Sequence, residues 1–233
     1  MERLDKVISN LMCVSRSDSR RLIKIGKVYV DGVRIKAFDT KVDEKNEIVV
    51  DGEKLNFSTE VYIIMNKSQG VVCDDKGNFP YAVDVLPDAL KRKDLFCVGR
   101  LDKDTTGLLI ITNDGEFSHK VISPKSNVEK RYRAVLADPI DEGGISKIEN
   151  GLTLADDTKL LPARVEASSD DKRTVDFIVK EGKYHQIKRM AGAIDNKVEK
   201  LHRLSIGKLC LPENLEVGQA QIIDKNLAFM ALE

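Results

Sequence analysis

Residues Gly99 to Gly115 read Gly-Arg-Leu-Asp-Lys-Asp-Thr-Thr-Gly-Leu-Leu-Ile-Ile-Thr-Asn-Asp-Gly, a polar half followed by an apolar half. The apolar run Leu108–Ile111 is closed by an Asn-Asp-Gly turn signal, and Leu95–Val98 forms a second apolar run just upstream. The pattern predicts two strands joined by a loop. That loop carries one carboxylate, Asp102, two residues after Arg100. A carboxylate on a loop between strands, with a cation beside it, is an arrangement that nucleophilic or base chemistry uses. Taken alone, the same residues fit a surface ion pair or a turn equally well.

The chain has 233 residues, enough for one large or two ordinary domains. With 42% hydrophobic and 33% charged residues it reads as a soluble globular protein. No apolar run reaches the length of a membrane span, and Met1-Glu2-Arg3-Leu4-Asp5 lacks the apolar core of a secretory signal, so a cytoplasmic address and no membrane partner are expected. Cys13, Cys73, Cys97 and Cys210 lack paired spacing, and His119, His185 and His202 form no ligand motif with them. Free buried thiols are expected, and no metal.

Net charge is zero, but its distribution is uneven. Residues 1–36 carry nine Lys or Arg against four acids, and residues 183–208 carry seven against two. Two basic segments separated by neutral or acidic sequence suggest two nucleic-acid-facing surfaces.

In the first segment Leu4, Val7, Ile8 and Leu11 follow helical spacing. A second helix is expected to start near Ser15–Ser17, where side-chain oxygens can cap free amides, and to stop at Gly26. Arg20 and Lys24 share its polar side, with Arg21 adjacent and Arg16 and Lys27 at the two ends. Val28–Ile35 contains two alternating runs around Asp31-Gly32, a hairpin signal, and Glu47–Gly52 supplies another strand and turn. One-signed charge on a helix beside a hairpin makes Arg16, Arg20, Arg21, Lys24 and Lys27 candidate phosphate contacts.

The segments "RLDKVIS", "SRSDSRRLIKIGKVYVDG" and "IVVDG", over Arg3–Gly52, resemble the alpha-L RNA-binding domain first known from a small-subunit ribosomal protein. The resemblance implies recognition of folded RNA by shape and phosphate rather than by a base code. Lys54–Glu60 reads as a polar linker, which divides the chain into an RNA-binding domain, 1–58, and a larger domain, 59–233.

In the larger domain Val61–Met65 is an expected strand, Asn66–Gly70 a turn and Val71–Cys73 another strand. The stretch to Asp94 reads as irregular, with room for one short helix. Lys130–Leu136 and Thr174–Val179 alternate as strands do. Glu181–Met190 runs into a helix, on which Ile187, Met190, Ala191 and Ile194 form a buried stripe. Lys188 and Arg189 lie off that stripe in its first turn, where the helix dipole disfavours cations, so an anionic partner such as Asp102 or an RNA phosphate is expected. The predicted class is therefore α+β: a small two-helix, short-strand domain, then a larger domain on a mixed, mainly antiparallel sheet.

"GRLDKDTTGLLIITNDG", "KRYRAV" and "EGKYHQIKRM", in that order behind the basic module, resemble the RNA pseudouridine synthases that modify ribosomal RNA. Through "YHQIKRM" and "LHRLSIGKLCL" the resemblance is to the small-subunit pseudouridine synthase A family. It implies that Asp102 is the catalytic aspartate, that Tyr132 stacks on the target base, and that Arg100 and Lys188 are substrate-site cations, with Lys188 paired to the aspartate. Arg189 joins the candidate RNA contacts. Ribosomal RNA or a pre-ribosomal particle is the implied partner of a monomeric enzyme.

Turning uridine into pseudouridine exchanges an N1–C1′ bond for a C5–C1′ bond with no net change in composition, so no cofactor is expected. It does need an ionised carboxylate near the ribose–base junction, and a neighbouring cation lowers a carboxylate pKa by about 1 to 3 units. The base must also leave its stack, and an aromatic face such as Tyr132 is worth about 1 to 3 kcal/mol to it. Two other classes stay open: a non-catalytic RNA-binding assembly factor, and a glycoside or nucleoside hydrolase using Asp102 with Asp104. Large-subunit RNA is the alternative substrate. Asp104 and Asp114 read as turn or cap residues, and His185 and His202 as structural groups or phosphate contacts.

Overall fold

The computed structural model describes residues 1–74 and 77–233. Its N-terminal module opens with β1 (Glu2–Arg3), α1 (Leu4–Leu11) and α2 (Arg16–Lys24), followed by β2 (Val28–Val30), β3 (Val33–Arg34), β4 (Lys41–Val42), β5 (Ile48–Val50) and β6 (Glu53–Leu55). Leu4, Val7 and Ile8 point inward from α1 and pack with Ile23, Val28 and Ile48. Ser15 caps α2 by accepting the Asp18 amide at 3.0 Å. At the tip of the β2–β3 hairpin Asp31 (φ 51°) and Gly32 (φ 77°) are both left-handed, as a two-residue turn matched to strand twist requires. The strands order as β3-β2-β5-β6, and β1 pairs with β4. Lys54 and Leu55 belong to β6, where their backbones pair with β5, so the expected linker from Lys54 is shorter than its polarity suggested.

The larger domain comprises β7 (Tyr62–Lys67), β8 (Phe96–Val98), β9 (Thr106–Thr112), α3 (Gly115–Ile122), β10 (Lys130–Leu136), α4 (Glu142–Glu149), β11 (Leu152–Thr153), β12 (Lys159–Leu160), β13 (Arg164–Ala167), β14 (Thr174–Val179), α5 (Gln186–Gly192), β15 (Val198–Ile206), β16 (Leu209–Cys210), β17 (Ala220–Ile223) and α6 (Lys225–Phe229). A single sheet runs β13-β14-β10-β15-β9-β7-β17, with β16 on β15 and β8 on β9. Every pairing is antiparallel except β15 on β9. That parallel contact joins the two halves of the sheet.

Gly107 makes the junction possible: a Cβ there would lie 2.3 Å from the Arg203 carbonyl oxygen, and its φ is +102°. One core cluster lies under α4 and α5, around Phe177 and Met190. A second gathers Tyr62 and Phe117, and a third packs Ile63 and Met65 with Val71, Leu86 and Leu101.

Several expectations need correction. Val71–Cys73 is not a strand; only Val72 bridges to Tyr81. β7 runs on through Asn66 and Lys67, where a turn was expected. The Asn-Asp-Gly signal starts a helix, with Asp114 capping α3 through the Phe117 amide at 2.9 Å. The irregular stretch after Cys73 holds one 3-10 turn, Asp88–Leu90, and includes residues 75 and 76, which lie outside the described residues. All four cysteines are free, but Cys13 and Cys210 are exposed rather than buried.

Candidate active site

The loop between β8 and β9 is pinned from three directions. Cys73 Sγ accepts the Leu101 amide at 3.3 Å, the Gly70 amide donates to the Lys103 carbonyl at 2.8 Å, and the Thr105 amide closes a turn on the Asp102 carbonyl at 3.1 Å. Behind it Lys67 is fully buried, its Nζ donating to the carbonyls of Ser68 (3.0 Å) and Val71 (2.7 Å). Burial pushes this amine below its ordinary value. Sequence reasoning placed Lys67 in a turn and missed it. An exposed-looking polar pentad gives no sign that one of its members is a strut.

From this loop Asp102 faces a cavity of about 250 Å³ that Arg100, Tyr132, Gly182, His185 and Ile187 also line. Tyr132 reaches it from β10, where the pairing with β15 slips between Arg131 and Tyr132. Such an irregularity re-aims a side chain. Tyr132 also packs against two of the core clusters, so it is at once a core residue and a cavity wall.

Lys188, in the first turn of α5, donates to Asp102 Oδ2 at 3.0 Å and to Asp104 Oδ1 at 2.6 Å. Burial acts to lower the lysine, but its hydrogen bonds to Asp104 and Asp102 outweigh this and hold it above the ordinary range. Burial likewise acts to raise Asp104, and Lys188 outweighs it, so that carboxyl titrates below its usual value. Asp104 is thus a second anchor for the lysine as well as a turn residue, a role its sequence context did not suggest. Asp102 Oδ1 faces His185 Nε2 at 3.6 Å. His185 holds a left-handed conformation (φ 48°) ahead of α5 and stacks on Tyr184 at 3.8 Å. Gln186 fixes this entry by accepting the Lys183 amide and donating to Glu181, both at 3.0 Å.

Two expected cations have other partners. Arg100 lines the cavity, but its guanidinium pairs with Asp74 at 3.2 Å, and Lys188 alone of the two bonds to Asp102. Arg189 pairs with Asp156. His202 is a structural group, its Nδ1 2.8 Å from Thr106 Oγ1.

In the module, Arg16 and Arg20 converge with Arg3 on Asp5, at 2.9, 2.9 and 3.2 Å, and Asp5 is fully buried. Arg21 reaches Asp18 and Lys27 reaches Asp51, while Lys24 is exposed and makes no ion pair among the described residues. The candidate contacts Arg16, Arg20, Arg21, Lys24 and Lys27 each keep at least part of the side chain in solvent.

Residues 61–193 match the family model described as RNA pseudouridylate synthase, and residues 2–49 match the S4 domain model. The chain is 41% identical over 218 residues to ribosomal small subunit pseudouridine synthase A of Vibrio cholerae, covering 93% of this chain and 94% of that one. It is 38% identical over 221 residues to a Bacillus subtilis protein described as an uncharacterized RNA pseudouridine synthase, covering 93% and 92%. A crystal structure of a pseudouridylate synthase superposes with a TM-score of 0.69 at 34% identity, covering 99% of this chain and all of that chain. With both domains matched and relatives aligned almost end to end, the chain belongs to the RNA pseudouridine synthase family, with an S4 domain ahead of the catalytic one.

Proposed function

We propose that this enzyme isomerises a specific uridine of small-subunit ribosomal RNA to pseudouridine, in the cytoplasm, with Asp102 as the catalytic carboxylate. The observation that carries the reading is the placement of Asp102: Lys188 holds one of its oxygens at 3.0 Å, the other lies 3.6 Å from His185 Nε2, and the residue lines the cavity that Tyr132 also walls. A carboxylate held this way is oriented and kept beside a positive charge before substrate arrives, which lowers the cost of presenting it to the ribose–base junction. The extruded base rests on Tyr132, and the S4 domain adds affinity for the surrounding RNA. The small-subunit assignment is supported by the names of relatives such as that from Vibrio cholerae.

The hydrolase reading requires one carboxyl to stay protonated as an acid. Asp104 is held below its usual range by Lys188, the opposite of what an acid catalyst at neutral pH needs.

The experiment is to map pseudouridine in small- and large-subunit ribosomal RNA from cells with and without this protein. Loss of one small-subunit site, restored by the wild-type gene, is expected. Loss confined to large-subunit RNA would overturn the assigned substrate, and no loss in either would overturn the activity on ribosomal RNA.

A further inference from the structure

Arg100, Tyr132 and the Glu181–Lys183 segment wall a second cavity as well, of about 370 Å³, so the two adjoin. Five cations line this second cavity, Arg100, Lys130, Lys180, Lys183 and Arg203, against one acid, Glu181. Three of the five are neutralised: Arg100 by Asp74 at 3.2 Å, Lys180 by Glu129 at 3.6 Å and Lys183 by Glu181 at 3.2 Å.

Lys130 and Arg203 have no carboxylate partner among the described residues. Lys130 donates to the Val128 carbonyl at 3.0 Å. Arg203 is only 2% exposed; its Nε donates to the Leu108 carbonyl at 2.7 Å and Nη1 reaches the Tyr132 hydroxyl at 3.4 Å, but Nη2 has no partner. Burial, with the Arg203 charge added, pushes the Lys130 amine down to about 8. Buried polar groups are rarely left unpaired, and buried charges are ordinarily paired. Two adjacent, uncompensated cations at a cavity beside the reaction site therefore describe a place prepared for an anion.

We propose that this second cavity seats a phosphodiester of the substrate strand flanking the target uridine, with Lys130 donating to it directly and buried Arg203 supplying the second positive charge. The inference rests on the reading that the base lies against Tyr132, which walls both cavities and so sets that nucleotide's own backbone beside Lys130. Arg203 holds Tyr132 from β15, its guanidinium carbon 5.8 Å from the ring centre, so the phosphate and the base are read by one connected group.

The test uses the full chain carrying Asp102→Asn, to prevent turnover, and an RNA containing the target site with one methylphosphonate replacing either phosphate that flanks the uridine. Affinity is measured for that background and for the same chain with Lys130→Met, which keeps the buried aliphatic stem, or Lys130→Arg, which keeps the charge. Neutralising the correct phosphate should weaken binding about tenfold, as should Lys130→Met with native RNA, and the two together should cost no more than either alone. Lys130→Arg should restore sensitivity to the neutral linkage. Multiplying losses, about a hundredfold combined, would overturn the proposal. So would Lys130-dependent binding of inorganic phosphate with no coupling to either RNA linkage, which would identify a free-phosphate site. These outcomes are read in affinity, and failure of the Asp102 reading is read in product formation, so the two are separable.

Discussion

At the residue scale the site turns on Lys188, one amine bonded to two carboxylates two residues apart. Without it Asp102 and Asp104 would face one another as uncompensated like charges, and Asp102 would lose the contact that sets its rotamer. Lys188→Met is therefore expected to lower the single-turnover rate by about a hundredfold or more while changing RNA affinity by less than about threefold. Quench-flow and filter-binding assays check the two halves; a near-native rate would remove Lys188 from the positioning role. The Asp102–Lys188 pairing was legible in part: a cation in the first turn of a helix called for an anionic partner, Asp102 or an RNA phosphate, and the family resemblance pointed to Asp102. The Asp104 and His185 contacts were not. They depend on a tight turn at Asp102–Thr105 and on a left-handed residue before α5, and residue types alone specify neither.

At the element scale the S4 domain shows how a helix can bury a charge. Asp5 lies on the inner face of α1, and three guanidinia from residues 3, 16 and 20 close over it, joining α1 to the start and middle of α2. Burial acts to raise this carboxyl, but hydrogen bonds from Arg3, Arg20 and Arg16 outweigh it and hold it at about 2, against an ordinary 3.8. A depressed carboxyl stabilises the fold fully above its unfolded value and loses that contribution as pH falls through its folded value. The Asp5 contribution, on the order of 2 kcal/mol, should therefore be complete above about pH 4 and fade toward pH 2. Urea denaturation of wild type and Asp5→Asn across this range should show a stability gap that closes with acid; a constant gap would contradict the assignment.

Elements with strong periodicity were legible: α1, α2, the β2–β3 hairpin, β9, β10 and β14 all fall where spacing places them. Val71–Cys73 failed because a short apolar run shows only that a segment can be buried. A buried Lys67 gathers the carbonyls around it, leaving that segment a single bridge. The start of α3 was hidden because Asn-Asp-Gly is both a turn signal and a capping site.

At the scale of the whole molecule, the proposed function gives the S4 domain affinity for the surrounding RNA and the catalytic domain the contacts to the target nucleotide. The S4 domain presents Arg21, Lys24 and Lys27 at its surface, while the catalytic domain keeps one oriented carboxylate at the junction of its two half-sheets. The two-domain plan was read from the resemblance of Arg3–Gly52 to an RNA-binding module and from the polar stretch that follows it. The parallel β9–β15 contact was not, since it joins residues about a hundred positions apart and rests on one glycine. The antiparallel register of β10 with β15 sets Arg203 beside Tyr132, a pairing that no local pattern announces.

On the proposed function Asp102 acts in the reaction and not in holding RNA. Pseudouridine formation and RNA affinity measured side by side for wild type and Asp102→Asn test it most directly. The variant should form no detectable pseudouridine and bind RNA with a dissociation constant within about threefold of wild type. Retained turnover in Asp102→Asn would contradict it.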